Sequence, residues 1–242
     1  MVRFSFLVLV LCIGVLAPFQ TSWALPKCPN SQKEKYLLCY GSKVFTNGKY
    51  VGQWRDNSPH GEGIFHFNDG ARYSGEFKKG KIHGVGEYIF ADGEIFKGEL
   101  LNEEPNGVGK YIFASGDTYL GEWINGMMHG RGIYLHRSGN KYEGRFQKNK
   151  RHGKGTYYYL ANDKFKGDVY IGEWKYGLKS GHGSYFYFKD KNYKGEKYVG
   201  SWLNDVPHGY GTTWYPDGKK KHCLWQKGKM INCNSDGKKK AT

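Results

Sequence analysis

Tyr73-Ser74-Gly75-Glu76-Phe77, then Gly84-Val85-Gly86-Glu87-Tyr88-Ile89-Phe90, then Asp92-Gly93: this unit decides the fold, because the chain writes it repeatedly. The opening pentad returns as Phe96-Lys97-Gly98-Glu99-Leu100 and as Tyr119-Leu120-Gly121-Glu122-Trp123. Further copies start at Tyr142, Tyr170 and Tyr198, and an earlier one at Tyr50. Copies beginning at 50, 73, 96, 119 and 142 are 23 residues apart, whereas those beginning at 142 and 170 are 28 residues long. A fixed period in this range is the signature of a stacked array in which each unit touches only its neighbours.

Aligning the copies reads each position without a homologue. Two residues after the opening aromatic stands Gly52, Gly75, Gly98, Gly121, Gly144, Gly172 or Gly200. Four residues after it stands Trp54, Phe77, Leu100, Trp123, Phe146, Trp174 or Trp202. A Gly-x-Gly pair follows in every copy, from Gly61/Gly63 to Gly209/Gly211, and then aromatics two apart, such as Tyr88/Phe90 and Tyr111/Phe113. The alternation has period two, so these are strands. Each copy is then a β-hairpin, with a long turn expected inside it and a tighter Asp-Gly turn to the next copy. Glycine inside a strand marks close approach, here expected from the ring of the facing Tyr or Trp.

The pattern Tyr-x-Gly-x-Trp, Gly-x-Gly, paired aromatics and Asp-Gly closely resembles the MORN (membrane occupation and recognition nexus) repeat family from about Lys49 to Lys219. Phe45-Thr46-Asn47-Gly48 resembles the end of a preceding copy. The resemblance implies an all-β fold, an elongated single-layer antiparallel sheet of stacked β-hairpins. It also implies membrane contact, scaffolding or assembly rather than catalysis.

The N-terminus reads as a secretory signal: Arg3, an apolar run from Phe4 to Ala17 too short to span a membrane, and a small-x-small site at Ser22-Trp23-Ala24. The expected organisation is a signal peptide over 1–24, an N-terminal cap over 25–48, seven repeats over 49–221 and a C-terminal cap with a Lys-rich tail over 222–242. Cleavage near Ala24 leaves Cys28, Cys39, Cys223 and Cys233, and an even count in an exported chain suggests disulfides. Fourteen strands at ~4.8 Å separate the two ends by roughly 65 Å, far beyond disulfide reach. Local pairs Cys28–Cys39 and Cys223–Cys233 are therefore expected, each beside an open end of the sheet.

The formal net charge is +15. Lys219, Lys220 and Lys221 form one run near the C-terminus and Lys238, Lys239 and Lys240 another. Such runs suit an anionic membrane or polysaccharide, or simply solvate the tail. An exported chain is not expected to meet nucleic acid. No cofactor, metal or small-molecule substrate is expected: the histidines before Gly-x-Gly (His60, His83, His129, His152 and His208) stand two strands apart, too far to share a metal. Glu76, Glu99, Glu122 and Glu173 read as a solvated ladder, and Lys150-Arg151-His152-Gly153-Lys154-Gly155 resembles a phosphate loop only in composition.

Two features point to recognition. Five extra residues lengthen each of copies five and six, at 162–169 and 190–197, around Phe165 and Tyr193. The residue between the paired aromatics reads Ile89, Ile112, Leu135, Tyr158, Phe186 and Trp214 from the second copy onward, after His66 in the first. Period two puts this apolar column on the face opposite the aromatic ladder, where it is a candidate surface for a protein partner or for self-association. The sequence is expected to encode an exported (secreted or periplasmic), non-catalytic interaction or scaffold protein of the cell envelope. A direct binder of anionic lipid or polysaccharide is the alternative.

Overall fold

A computed structural model describes residues 25–29, 35–188 and 194–235. The expected signal segment, Tyr193 and Lys238 to Lys240 lie outside these residues. Among the described residues all regular structure is β. Seventeen strands run from β1 (Leu38–Phe45), β2 (Gly48–Arg55) and β3 (Ser58–Phe67) to β15 (Val206–Trp214), β16 (Lys220–Gln226) and β17 (Lys229–Ser235). Each pairs antiparallel with its neighbours in the chain, as in Gly41↔Gly52, Gly52↔Gly63 and Gly63↔Gly75. At ~4.8 Å per strand the sheet has a contour of roughly 80 Å.

The two connections are the reverse of the expectation. Within a copy, the chain turns in two residues: β2 ends at Arg55, β3 starts at Ser58, and Asp56 and Asn57 have φ of 48° and 61°. Positive φ at both central residues makes the tight hairpin turn whose twist matches that of the strands. The Asp-Gly link is the longer one, with four residues between Phe67 and Arg72. Apart from Asp56 and Asn57, what reads as turn between Trp54 and Gly61 is strand, since Trp54 pairs with Pro59 across a bulge that follows Gly52.

The core is one row of rings on one face. Tyr50, Tyr73, Phe96, Tyr119, Tyr142 and Tyr170 are wholly buried. Each lies over a glycine pair, and a Cβ on Gly63 or Gly132 would overlap the ring of Tyr50 or Tyr119. The Trp of one copy meets the Tyr of the same copy edge-on, as Tyr119 and Trp123 do at 5.1 Å between centroids. The indole N–H then reaches back a copy: Trp123 Nε1 donates to Gly109 O, and Trp174 Nε1 to Gly155 O. Aromatic burial thus stitches neighbouring hairpins together.

The array continues past the seven copies. β1 supplies the half-copy suggested by Phe45–Gly48, with Gly41 and Phe45 in the glycine and aromatic columns. β16 and β17 form a further hairpin in which Cys223 takes the glycine position opposite Gly211, and Trp225 the Trp position opposite Gly209.

Candidate functional site

The outer face carries rows that run from strand to strand. The apolar column predicted there joins residues of the intervening strands: Ile89 faces Ile95, which faces Ile112, then Thr118, Leu135, Lys141, Tyr158, Val169, Phe186, Lys197 and Trp214. Leu135 and Trp214 are 44% and 39% exposed, while Ile89, Ile112, Tyr158 and Phe186 are half-buried. Lysines roof the C-terminal half. Lys141 Nζ sits 4.4 Å from the Tyr158 centroid, and Lys197 Nζ sits 5.1 Å from Phe186 and 5.6 Å from Trp214. In the aliphatic half Ile89, Ile95, Ile112 and Thr118 are half-buried, and Leu135, the exposed member, stands opposite Lys141.

The cysteines pair as the geometry of the ends required. Cys28 bonds Cys39 and Cys223 bonds Cys233, with Cα separations of 5.0 and 4.0 Å. Cys28 covers Gly41, doing at the first strand what a Tyr ring does inside the array. Its segment also pairs with β1: Cys28 N donates to Tyr40 O, and Tyr40 N to Pro26 O. The first lysine run is exposed. Lys219 pairs with Asp217 at 2.8 Å, Lys220 faces Trp214, and Lys221 takes the Tyr column position opposite Thr213. The longer link of copy five closes on itself, Tyr159 N donating to Asp168 O and Gly167 N to Tyr159 O. Phe165 packs on Tyr159 there and is 39% exposed.

Two features escaped the sequence reading. The residue two before the opening aromatic is polar in five copies: Glu94, Asp117, Asn140, Asp168 and Glu196. It latches the next copy. Asp117 accepts from Tyr134 Oη and Arg137 N at 2.8 Å each, and Asp168 from Tyr185 Oη and Phe188 N at 2.9 and 2.7 Å. Glu94 accepts from Tyr111 Oη and Ala114 N, and Asn140 from Leu160 N and Ala161 N. Burial, reinforced by the facing carboxylate, raises the phenol pKa of Tyr134 and Tyr185. Column alignment at that offset would have found the latch.

The second is Lys179. The residue paired with the Trp column is Pro59, Ile82, Pro105, Met128, Arg151, Lys179 and Pro207 in turn. Lys179 is 9% exposed, with Nζ between 4.9 and 5.8 Å from the centroids of Trp202, Tyr185, Tyr170 and Tyr159. Burial lowers its pKa to about 8. Arg151 lies over Trp174 at 4.4 Å.

Among the described residues no group of three or more His, Cys, Asp and Glu side chains is arranged to hold a metal, and no helix is long and apolar enough to cross a membrane.

MORN repeat models match residues 50–72, 73–95, 96–118, 119–141, 142–160, 170–189 and 198–220, well over half of the chain. The chain belongs to the MORN repeat family. MORN repeats are binding and scaffold modules that mediate protein or membrane interactions, and this MORN protein is read on that basis. No curated protein sequence matches it. Among solved structures, it is similar to the TCP domain of SAS-4 (dCPAP) of Drosophila melanogaster, solved in complex with a proline-rich motif of Ana2 (dSTIL). That match has 13% identity and a TM-score of 0.41, covering 67% of this chain and 83% of the other. It is also similar to a virginiamycin B lyase from Staphylococcus aureus, with 12% identity and a TM-score of 0.17, covering 78% and 61%. The two disulfides hint at an oxidising, extracytoplasmic setting for this MORN protein.

Proposed function

We propose that this is an exported, non-catalytic MORN-repeat scaffold of the cell envelope that binds a protein partner, in the simplest case a second copy of itself, through its outer face. The observation that carries the reading is the row Ile89–Ile95–Ile112–Thr118–Leu135, mostly aliphatic, on the face away from the ring ladder, half-buried along its length and 44% exposed at Leu135. The aromatic core lies wholly on the other face, so replacing this row leaves the ring ladder intact.

The test combines Ile112→Thr, Leu135→Thr and Tyr158→Thr and compares sedimentation equilibrium and far-UV circular dichroism with the native protein. The expected result is loss of self-association with an unchanged β signal. Loss of the β signal would make the row part of the core. Unchanged assembly would place the contact elsewhere.

A further inference from the structure

On the outer face, between the glycine and Trp columns, copies two to four carry a glutamate that caps the backbone of its own hairpin. Glu76 Oε1 accepts from Val85 N and Glu99 Oε1 from Val108 N at 3.4 Å, and Glu122 Oε1 from Arg131 N at 2.8 Å. In copy five the glutamate is replaced by Arg145. Arg145 stands directly opposite Arg131 across β9 (Met127–Leu135) and β10 (Lys141–Gln147), and Lys154 follows at the equivalent place on β11 (Lys150–Tyr158). Like charges facing each other across strands destabilise a sheet. Yet none of the three has a carboxylate within ion-pair distance among the described residues. Glu173 faces Lys154 across the strands, but its carboxylate is turned over Gly181. Beside them lies an open cavity of about 460 Å³ lined by His152, Lys154, Glu173, Lys175 and Ser180. His152 Nδ1 is shielded from solvent there and has no hydrogen-bond partner. Tyr176, 64% exposed, stands edge-on to the His152 ring.

We propose that Arg131, Arg145 and Lys154, with the adjoining cavity, form a binding site for a linear polysaccharide bearing sulfate or carboxylate groups. The cations succeed one another across strands ~4.8 Å apart, so they form a line rather than a cluster. Guanidinium forks suit sulfate and carboxylate oxygens in bidentate geometry. The exposed Tyr176 ring offers an apolar flank for the C–H face of a sugar. A flat bilayer laid on the same face would also have to approach Glu143, beside the basic line, and Glu173, at its end, whereas a single chain can lie on the three cations alone. The inference rests on the proposed function only in taking the chain as a binding module outside the cytoplasm.

The repeat itself supplies the variant. Arg145→Glu restores the residue of copies two to four, which accepts a backbone N–H and keeps the hairpin, and Lys154→Val copies Val85 and Val108. The full-length mature protein is titrated with a heparin decasaccharide at low and physiological salt. The double variant is expected to melt no lower than the native protein and to lose roughly 100-fold in affinity, about tenfold per charged contact. A second variant, Lys219→Gln, Lys220→Gln and Lys221→Gln in a chain ending at Asn234, is expected to change affinity less than threefold. Equal binding by the Arg145→Glu, Lys154→Val protein overturns the site, as does a loss confined to the lysine-run variant. Binding to vesicles rich in anionic lipid without binding to the oligosaccharide would make the ligand a membrane instead. The Ile112, Leu135 and Tyr158 replacements leave these cations in place. If they abolish self-association while heparin binding persists, the two readings stand independently; if heparin binding is lost with them alone, only the present inference fails.

Discussion

Asp168 is almost wholly buried and accepts from Tyr185 Oη at 2.9 Å and from Phe188 N at 2.7 Å. It stands two residues before the copy that opens at Tyr170 and holds the second strand and following turn of that copy. The same relation recurs at Asp117 with Tyr134 and Arg137, and Glu94 and Asn140 hold the corresponding places in their copies. In a solenoid, stability is a sum of unit and neighbour terms, so each latch acts on its own section of the array.

Asp168→Ala leaves two buried donors without an acceptor and is expected to cost about 2–4 kcal/mol. Asp168→Asn keeps one acceptor, as Asn140 does naturally for Leu160 and Ala161, and is expected to cost under half as much. Urea denaturation followed by near-UV circular dichroism measures both. Equal costs for the two replacements would mean that the latch acts through its charge and not through its acceptor.

Most of the fold was legible because the copies control for one another. Tyr119, Gly121 and Trp123 recur at fixed offsets, and period two alone put them on one face. The location of the tight turn was not legible. It depends on positive φ at two-residue turns whose sequence varies from Asp56-Asn57 to Asn125-Gly126, while the more regular glycines that follow belong to a bulged strand. The last hairpin was hidden because Lys221 replaces its Tyr and Cys223 its Gly, so the column pattern fails although the backbone pairing continues. Of the outer surface, the apolar column was legible. Arg145 was not, since it is significant only as the basic member of a column that otherwise holds glutamate, Gln53 or Ser201.

The ring-over-glycine contact predicts an asymmetry within one copy. Gly132→Ala puts a Cβ into the Tyr119 ring and is expected to cost about 3 kcal/mol, the upper range for overpacking. Tyr119→Phe keeps the ring and loses only the hydroxyl's bonds to Glu122 O and His129 O at 3.0 and 3.2 Å. Its cost is expected near 1 kcal/mol, because Phe96 fills the same place in copy three with full burial. Thermal melts of the two variants decide it; a larger cost for Tyr119→Phe would make the hydroxyl, not the close approach, the conserved need of the column.

The disulfides close short loops at either end, with sequence separations of 11 and 10 residues. In the chain-entropy model each contributes about 2–3 kcal/mol. Because the array is quasi-one-dimensional, Cys233→Ser is expected to raise amide hydrogen exchange in β16 and β17 and leave β2 to β9 unchanged. Non-reducing peptide mapping of the mature protein is expected to recover the same two local pairs and an N-terminus just after Ala24. A crosslink joining the ends, or accelerated exchange throughout the sheet, would contradict the local role.

Lys179 predicts a rise of stability with pH. Burial holds its folded pKa at about 8, against 10.5 for the free side chain. Between those values the unfolded chain binds a proton that the folded chain has released, so raising the pH favours the folded state. The unfavourable contribution is fully present below pH 8 and is relieved as pH approaches 10.5. A depression of this size corresponds to roughly 3 kcal/mol, part of which the four surrounding rings return through cation–π attraction. The tyrosines act oppositely and at higher pH: burial raises Tyr170 and Tyr185 in the fold, so their contribution is lost only as pH climbs beyond the ordinary phenol range. Lys179→Met places there the residue that copy four carries at Met128, which is itself buried. The variant is expected to be more stable than the native protein at pH 7 by about 1–3 kcal/mol and to show no rise between pH 8 and 10. Urea titrations at pH 7, 8, 9 and 10 give the comparison. A native protein whose stability is flat over that window, with a destabilised Lys179→Met, would show that the ring cage favours the ammonium more than burial opposes it.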